Sequence, residues 1–160
     1  MHWNIICRKR KHGDDMDNIN KFIGIPYKFN GDTADGCDCL GLVRYFYREH
    51  GWLDIDDGLP IDKDWMKTAA SRIRKFFPKH FDLAWNPEDL KYGAVVIFKI
   101  NSEMHFGVYV GYGKLLSTQL TTESYDDSLS TLYPRQWWTP WFQVAFNRRE
   151  KENGNIKDNS

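Results

Sequence analysis

Only three cysteines occur in this 160-residue chain, and its 22 basic and 22 acidic side chains cancel. No apolar run reaches the length of a membrane span. Each shortage removes a class of protein. A neutral chain has no global electrostatic reason to bind nucleic acid or an anionic membrane, so neither is expected as a partner. Three cysteines cannot all pair, and Cys37 and Cys39 are too close in sequence for a comfortable structural bridge. A reducing compartment with free thiols is the expectation. The start, "MHWNIICRKRKHGDD", puts a short apolar part before its basic part, which is a poor secretory signal.

What is present suits a folded domain. Hydrophobic residues make up 41% and aromatic residues 16% of the chain, enough to bury a core. Residues 1–13 read as an arm with a basic run from Arg8 to His12, 14–149 as one domain, and 150–160 as a polar, disordered tail. Helical spacing of Met16, Ile19, Phe22 and Ile23 predicts a first helix from Asp14, closed by Gly24 and Pro26. A second starts near Asp38, with Cys39, Val43, Phe46, Tyr47 and His50 on one face and Gly51 past its end. A third is capped by Asp62, carries Met66, Ala69, Ala70, Ile73 and Phe77, and ends at Pro78.

After "WNPEDLKYG" the pattern changes to short β-branched and aromatic runs. "AVVIFKI" and "HFGVYVG" read as strands joined around Asn101–Glu103, "GYGK" as a tight turn into "LLSTQ", and "WFQVAF" as a last strand. Helices followed by an antiparallel meander make an α+β fold.

The two cysteines of "GCDCLGLVRYFYREHG" admit several chemistries. Structural zinc needs four ligands, usually as two close pairs. Here no second pair exists, and His80 and His105 stand alone. A redox site wants C-x-x-C, and this is C-x-C. A nucleophile wants its thiol at a helix N-terminus, where backbone N–H groups favour the thiolate, with a base supplied from a rigid element. Cys39 sits at such a start and His105 opens a strand. A small buried thiol and an ordinary strand-end histidine fit the same spacing, so both readings stand at this point. Cys37, in the preceding loop, reads as a bystander.

In order along the chain, "FIGIPYKFNG", "GCDCLGLVRYFYREHG", "DLKYGAVVIF", "HFGVYVGYGKLL" and "WWTPWFQVAFNRR" cover most of Phe22 to Arg149. In that order, and above all in "DC-x-GLV" followed by "H-x-G-x-Y-x-G", the chain resembles the NlpC-type papain-like cysteine peptidases, most of all their phage-tail and gene-transfer-agent members. Residues 52–87 match less well and read as a variable insertion carrying the third helix. The resemblance implies a central antiparallel sheet packed against the N-terminal helices, with the nucleophile at a helix N-terminus. It implies Cys39 as nucleophile, His105 as general base and acid, and Tyr27 and Asp38 as substrate-binding residues. No metal or organic cofactor is implied.

Three positions depart from the family pattern. Leu40 stands where a serine usually follows the nucleophile, a form that phage relatives share. Ala94 replaces the aspartate of the usual Gly-Asp before the strand, a change expected to act on turn stability. Ser117 falls where relatives carry the histidine that orients the base. Gln119, two residues on and on the same face of the strand, is the alternative orienting residue. Trp137, Trp138, Trp141 and Phe142 read as cover for the sheet edge and core before they read as a sugar- or partner-binding surface.

The function so implied is hydrolysis of peptide bonds in bacterial cell-wall stem peptides, by an enzyme made in the bacterial cytoplasm without a signal peptide and carried in a phage tail beside other tail proteins. The alternatives are a structural or assembly tail protein with little or no catalysis, and an amidase or acyltransferase acting on another substrate.

Overall fold

The structure is a computed structural model that describes residues 18–52, 55, 65–118 and 128–149. Its centre is a six-stranded antiparallel sheet. β1 (Asp32–Thr33) and β2 (Gly36–Cys37) form a separate small hairpin, followed by α1 (Cys39–Glu49) and α2 (Trp65–His80). The sheet strands are β3 (Phe81–Ala84), β4 (Val95–Ile100), β5 (Glu103–Tyr109), β6 (Leu115–Ser117), β7 (Thr131–Tyr133) and β8 (Phe142–Arg148), with α3 (Arg135–Trp138) before β8. The spatial order is β3-β8-β4-β5-β6-β7. The meander expected from the sequence runs from β4 to β7, and β8 then crosses back to lie between β4 and β3.

β4 shows why the sheet forms a middle layer. Val95, Val96, Ile97 and Phe98 are all buried, so both faces of the strand are covered and its apolar run does not alternate. Val95 and Ile97 pack with Phe106, Val108 and the apolar face of α1, where Leu42, Val43, Phe46 and Tyr47 are fully buried. Val96 and Phe98 pack on the opposite face with Leu115, Ala145 and Trp138. The hairpin between β4 and β5 turns on Asn101 and Ser102, both with positive φ, which pairs Ile100 with Glu103 and carries the register down to Phe98 opposite His105.

Several expectations change here. Residues 52–87, expected as an insertion carrying a helix, also supply β3, an edge strand paired with β8 from Phe81↔Arg148 to Ala84↔Ala145. Pro78 does not end its helix, which continues to His80. Arg149 donates to the carbonyls of Pro78, Lys79 and Phe81 at 3.2, 3.0 and 3.3 Å, taking up acceptors that the last turn leaves open. The expected cap, Asp62, and the start of the first helix lie outside the described residues, where the N-terminal arm and the tail also lie. Within them, a short 3-10 turn at Asn20–Phe22 precedes Gly24.

Ala94 is fully buried and its N–H donates to Lys91 O at 2.9 Å. A methyl fits there without the desolvation cost of a carboxylate. Trp138 is fully buried, and its Nε1 donates to Gly113 O at 3.1 Å. Trp137 leans on Tyr133 at 5.1 Å, while Trp141 remains 41% exposed.

Candidate active site

The start of α1 is held by Asp38. As N-cap, its Oδ1 accepts from Gly41 N at 2.7 Å, and its Oδ2 accepts from Asn30 N at 2.8 Å. The first bond satisfies a helix-terminal donor; the second ties down the loop before β1. That loop lies so close that a Cβ on Gly41 would sit 1.7 Å from Gly31 O. The glycine of "DC-x-G" is therefore a steric requirement. Asp38 is buried, with each carboxylate oxygen accepting from a backbone N–H. Its role in this structure is to position the first turn.

Cys39 is the first residue of α1 and is 5% exposed. The backbone N–H groups of Phe106, Leu40 and Cys39 itself act on its sulfur and favour the thiolate. α1 packs against β5, the strand that carries His105. Burial, followed by the Asp38 charge, pushes the thiol up to about 12, with the three N–H groups pulling the other way. His105 is 6% exposed, and burial holds its imidazole below the usual value against a smaller opposing pull from Glu103. At neutral pH burial therefore favours the neutral thiol of Cys39 and the neutral imidazole of His105.

Among the described residues, Nδ1 of His105 is buried without a hydrogen-bond partner. Ser117, expected to orient the ring, is fully buried, and its Oγ donates to Phe106 O at 2.6 Å. It braces the strand, not the imidazole. Gln119, the alternative, lies outside the described residues. The ring is instead stacked on Phe98 with centroids 5.8 Å apart and planes 14° from parallel.

Tyr27 reaches the same region from another segment. Its backbone bridges Cys37, and its N–H donates to Ser128 O at 3.0 Å. Ser130 locks that segment, donating to Phe22 O at 2.6 Å and accepting from Ile25 N at 2.9 Å. Cys37 is buried, with Sγ donating to Thr33 O at 3.1 Å, and burial pushes its thiol up to about 12. Asp38 and Cys39 thus open α1 with Tyr27 bridged to Cys37 just before them, while His105 and the Phe106 carbonyl that Ser117 bonds lie on β5.

Ser130, Asn30, Phe106 and Phe98 were not read from the sequence. Ser130 and Asn30 carry no local signal. Phe98 carries one, since a turn at Asn101 and Ser102 fixes it opposite His105. Among the described residues, no group of three or more His, Cys, Asp or Glu side chains is arranged to hold a metal ion.

The model of the NlpC/P60 family matches residues 24–145. A gamma-D-glutamyl-L-lysine dipeptidyl-peptidase of Bacillus cereus is 27% identical over 104 residues, which is 64% of this chain and 27% of that protein. The murein DD-endopeptidase MepS/murein LD-carboxypeptidase of Escherichia coli K12 is 24% identical over 119 residues, 74% of this chain and 55% of that protein. The murein DD-endopeptidase MepH of the same organism is 31% identical over 111 residues, covering 66% and 35%. The chain therefore spans from about a quarter to about half the length of these curated relatives.

Among solved structures, the NlpC/p60 domain of the peptidoglycan hydrolase SagA superposes with a TM-score of 0.55 at 18% identity, covering 86% of this chain and 98% of that one. An NlpC/P60 family protein from Bacillus cereus gives 0.55 at 21% identity, covering 86% and 39%. These likenesses establish the α+β, papain-like fold.

Proposed function

The chain belongs to the NlpC/P60 family, and from that premise we propose that it is a thiol peptidase hydrolysing peptide bonds in the stem peptides of bacterial peptidoglycan. The observation that carries the reading is the placement of Cys39 at the start of α1, capped by Asp38 and packed against β5, the strand that carries His105. The murein endopeptidases and dipeptidyl-peptidase among its relatives support the substrate class.

Because both groups rest neutral, the thiol proton passes to His105 as the sulfur attacks the scissile carbonyl carbon. Backbone N–H groups at the helix start receive the developing oxyanion. The C–N bond then breaks, His105 returns the proton to the leaving amine, and water hydrolyses the thioester, regenerating the thiol. Asp38 positions the helix start, and Tyr27 lines the substrate side. The "DCLG" form of the motif supports a setting in a phage tail, with other tail proteins as partners and the virion as location.

Mass spectrometry of muropeptides incubated with wild type and with Cys39→Ala tests this. New stem-peptide fragments are expected from the wild type alone, with at least about a 10⁴-fold loss of rate in the variant. Equal rates would end the proposal, and the fragment masses separate endopeptidase action from action on another amide or acyl group.

The Nδ1 of His105, without a partner among the described residues, and the raised thiol value of Cys39 favour a second reading, a tail protein that keeps the fold with little catalysis. It expects no fragments and a Cys39 that alkylates only at alkaline pH. Turnover lost in Cys39→Ala would exclude it.

A further inference from the structure

We infer that Phe98 is the positioning residue of His105, holding the imidazole by ring stacking where a third polar side chain would otherwise hold it by a hydrogen bond. Two independent observations point there. His105 has no bonded partner at Nδ1 among the described residues, and the hydroxyl expected to serve it, that of Ser117, is directed at Phe106 O. Phe98 is fully buried, is paired directly across β4 and β5 with His105, and presents its ring within 14° of parallel at 5.8 Å.

Cross-strand partners share a face of the sheet, so the hairpin register itself delivers the phenyl ring to the imidazole. An offset stack at this distance is attractive. It also restricts rotation of the imidazole about its Cβ–Cγ bond.

The stack does more than fix an angle. When His105 takes the thiol proton it becomes a buried cation, and the electron-rich face of a phenyl ring stabilises a cation. Of the titratable groups, Glu103 on the same strand bears on His105 and favours the cation. Phe98 is thus the group on β4 that helps the imidazolium form in a dry site. The consequence for catalysis rests on the peptidase reading above; the effect on the ring does not.

The ring is followed directly by NMR, through the His105 carbon-bound ring protons and their titration. Wild-type resonances are expected upfield of an unstacked histidine. In Phe98→Leu they should move back, with the His105 pKa falling by about 0.5–1 unit, the size of a modest cation–π contact. On peptidoglycan fragments, kcat should fall about 10-fold with KM unchanged, and the acid limb of the profile should move with the ring pKa.

Pentafluorophenylalanine at position 98 keeps shape while reversing the ring quadrupole. It should lower the pKa without loss of fold, which keeps the test decisive if Phe98→Leu is unstable. Phe142→Leu, in the same apolar cluster, should leave the ring unmoved. Unshifted wild-type resonances, or equal changes in Phe98→Leu and Phe142→Leu, would overturn the inference. Ring shifts as expected in a protein that releases no muropeptide fragments would uphold the role of Phe98 and sink the peptidase reading.

Discussion

The two sides of the candidate site are built by opposite means. On the helix side, Cys39 is fixed by a mesh of backbone hydrogen bonds running through Asp38, Asn30, Gly31 and Gly41. On the strand side, the His105 ring has no hydrogen bond at Nδ1 among the described residues and rests on Phe98. Hydrogen bonds to short polar side chains and close backbone contacts tolerate little displacement. Packing forces are softer and spread over many atoms. Cys39 is therefore held on the rigid side, and His105 is the one whose orientation depends on the quality of the core behind it.

That contrast is broken most severely at Gly41. In Gly41→Ala the new methyl meets the Gly31 carbonyl at 1.7 Å, and no side-chain rotation relieves a clash with backbone. The loop must leave the helix start, taking with it the Asn30 bond to Asp38. A loss of about 3 kcal/mol or more is expected, read as a drop in denaturation midpoint, with Cys39 no longer held at an ordered helix start. Near-native stability would mean that the helix side is as soft as the strand side.

The two sides should also separate by pH. Cys37 and Cys39 hold their protons up to about 12 in the folded protein, whereas an unfolded chain releases them near about 8.5. The stability they contribute is present below that value and is lost as pH rises toward about 12, each thiol adding a slope of about 1.4 kcal/mol per pH unit. His105 has the opposite sign. Its folded value is lowered, so its contribution is present above the usual histidine value and is lost as pH falls through the folded one. Urea titrations of wild type and Cys37→Ala between pH 9 and 11 check the alkaline arm. Removing Cys37 should halve the part of the slope that the two thiols supply, leaving the acid arm unchanged. An unchanged alkaline slope would show that Cys37 is not held as a protonated thiol.

The same contrast decides what was legible in the sequence. α1 was legible because its information is local: an acidic cap, an apolar face at helical spacing and a terminal Gly51. The nucleophile's location came with it. β3 was not, because Phe81–Ala84 becomes a strand only against β8, more than sixty residues later. Pro78 misled for a related reason, since the carbonyls that its turn exposes are taken up by Arg149 from the far end of the domain. β7 is a three-residue strand, too short for a period to show. The pairing of Phe98 with His105 lay within reach, but only if the turn was fixed at Asn101 and Ser102, because one residue of slip sends the phenyl ring to the other face.

Ser117 is where sequence alignment and geometry part, and it carries the smallest expected effect. Its place in the family pattern suggests an orienting role, yet a serine hydroxyl has one proton to give, and here the Phe106 carbonyl receives it at 2.6 Å. Choosing between a ring nitrogen and a carbonyl is a matter of tenths of an ångström, which no residue pattern encodes. Ser117→Ala should therefore cost about 1 kcal/mol, the worth of one buried hydrogen bond, and alter turnover by no more than a few-fold. Were Ser117 the orienting group, the loss would approach that of an unoriented base, up to about 10⁴-fold in kcat. Gln119→Ala, assayed beside it, assigns the role directly: a large loss there with a small one at Ser117 would give the strand side a polar anchor. In that case the two sides of the site would share one building principle, and Phe98 would no longer account for the ring's orientation.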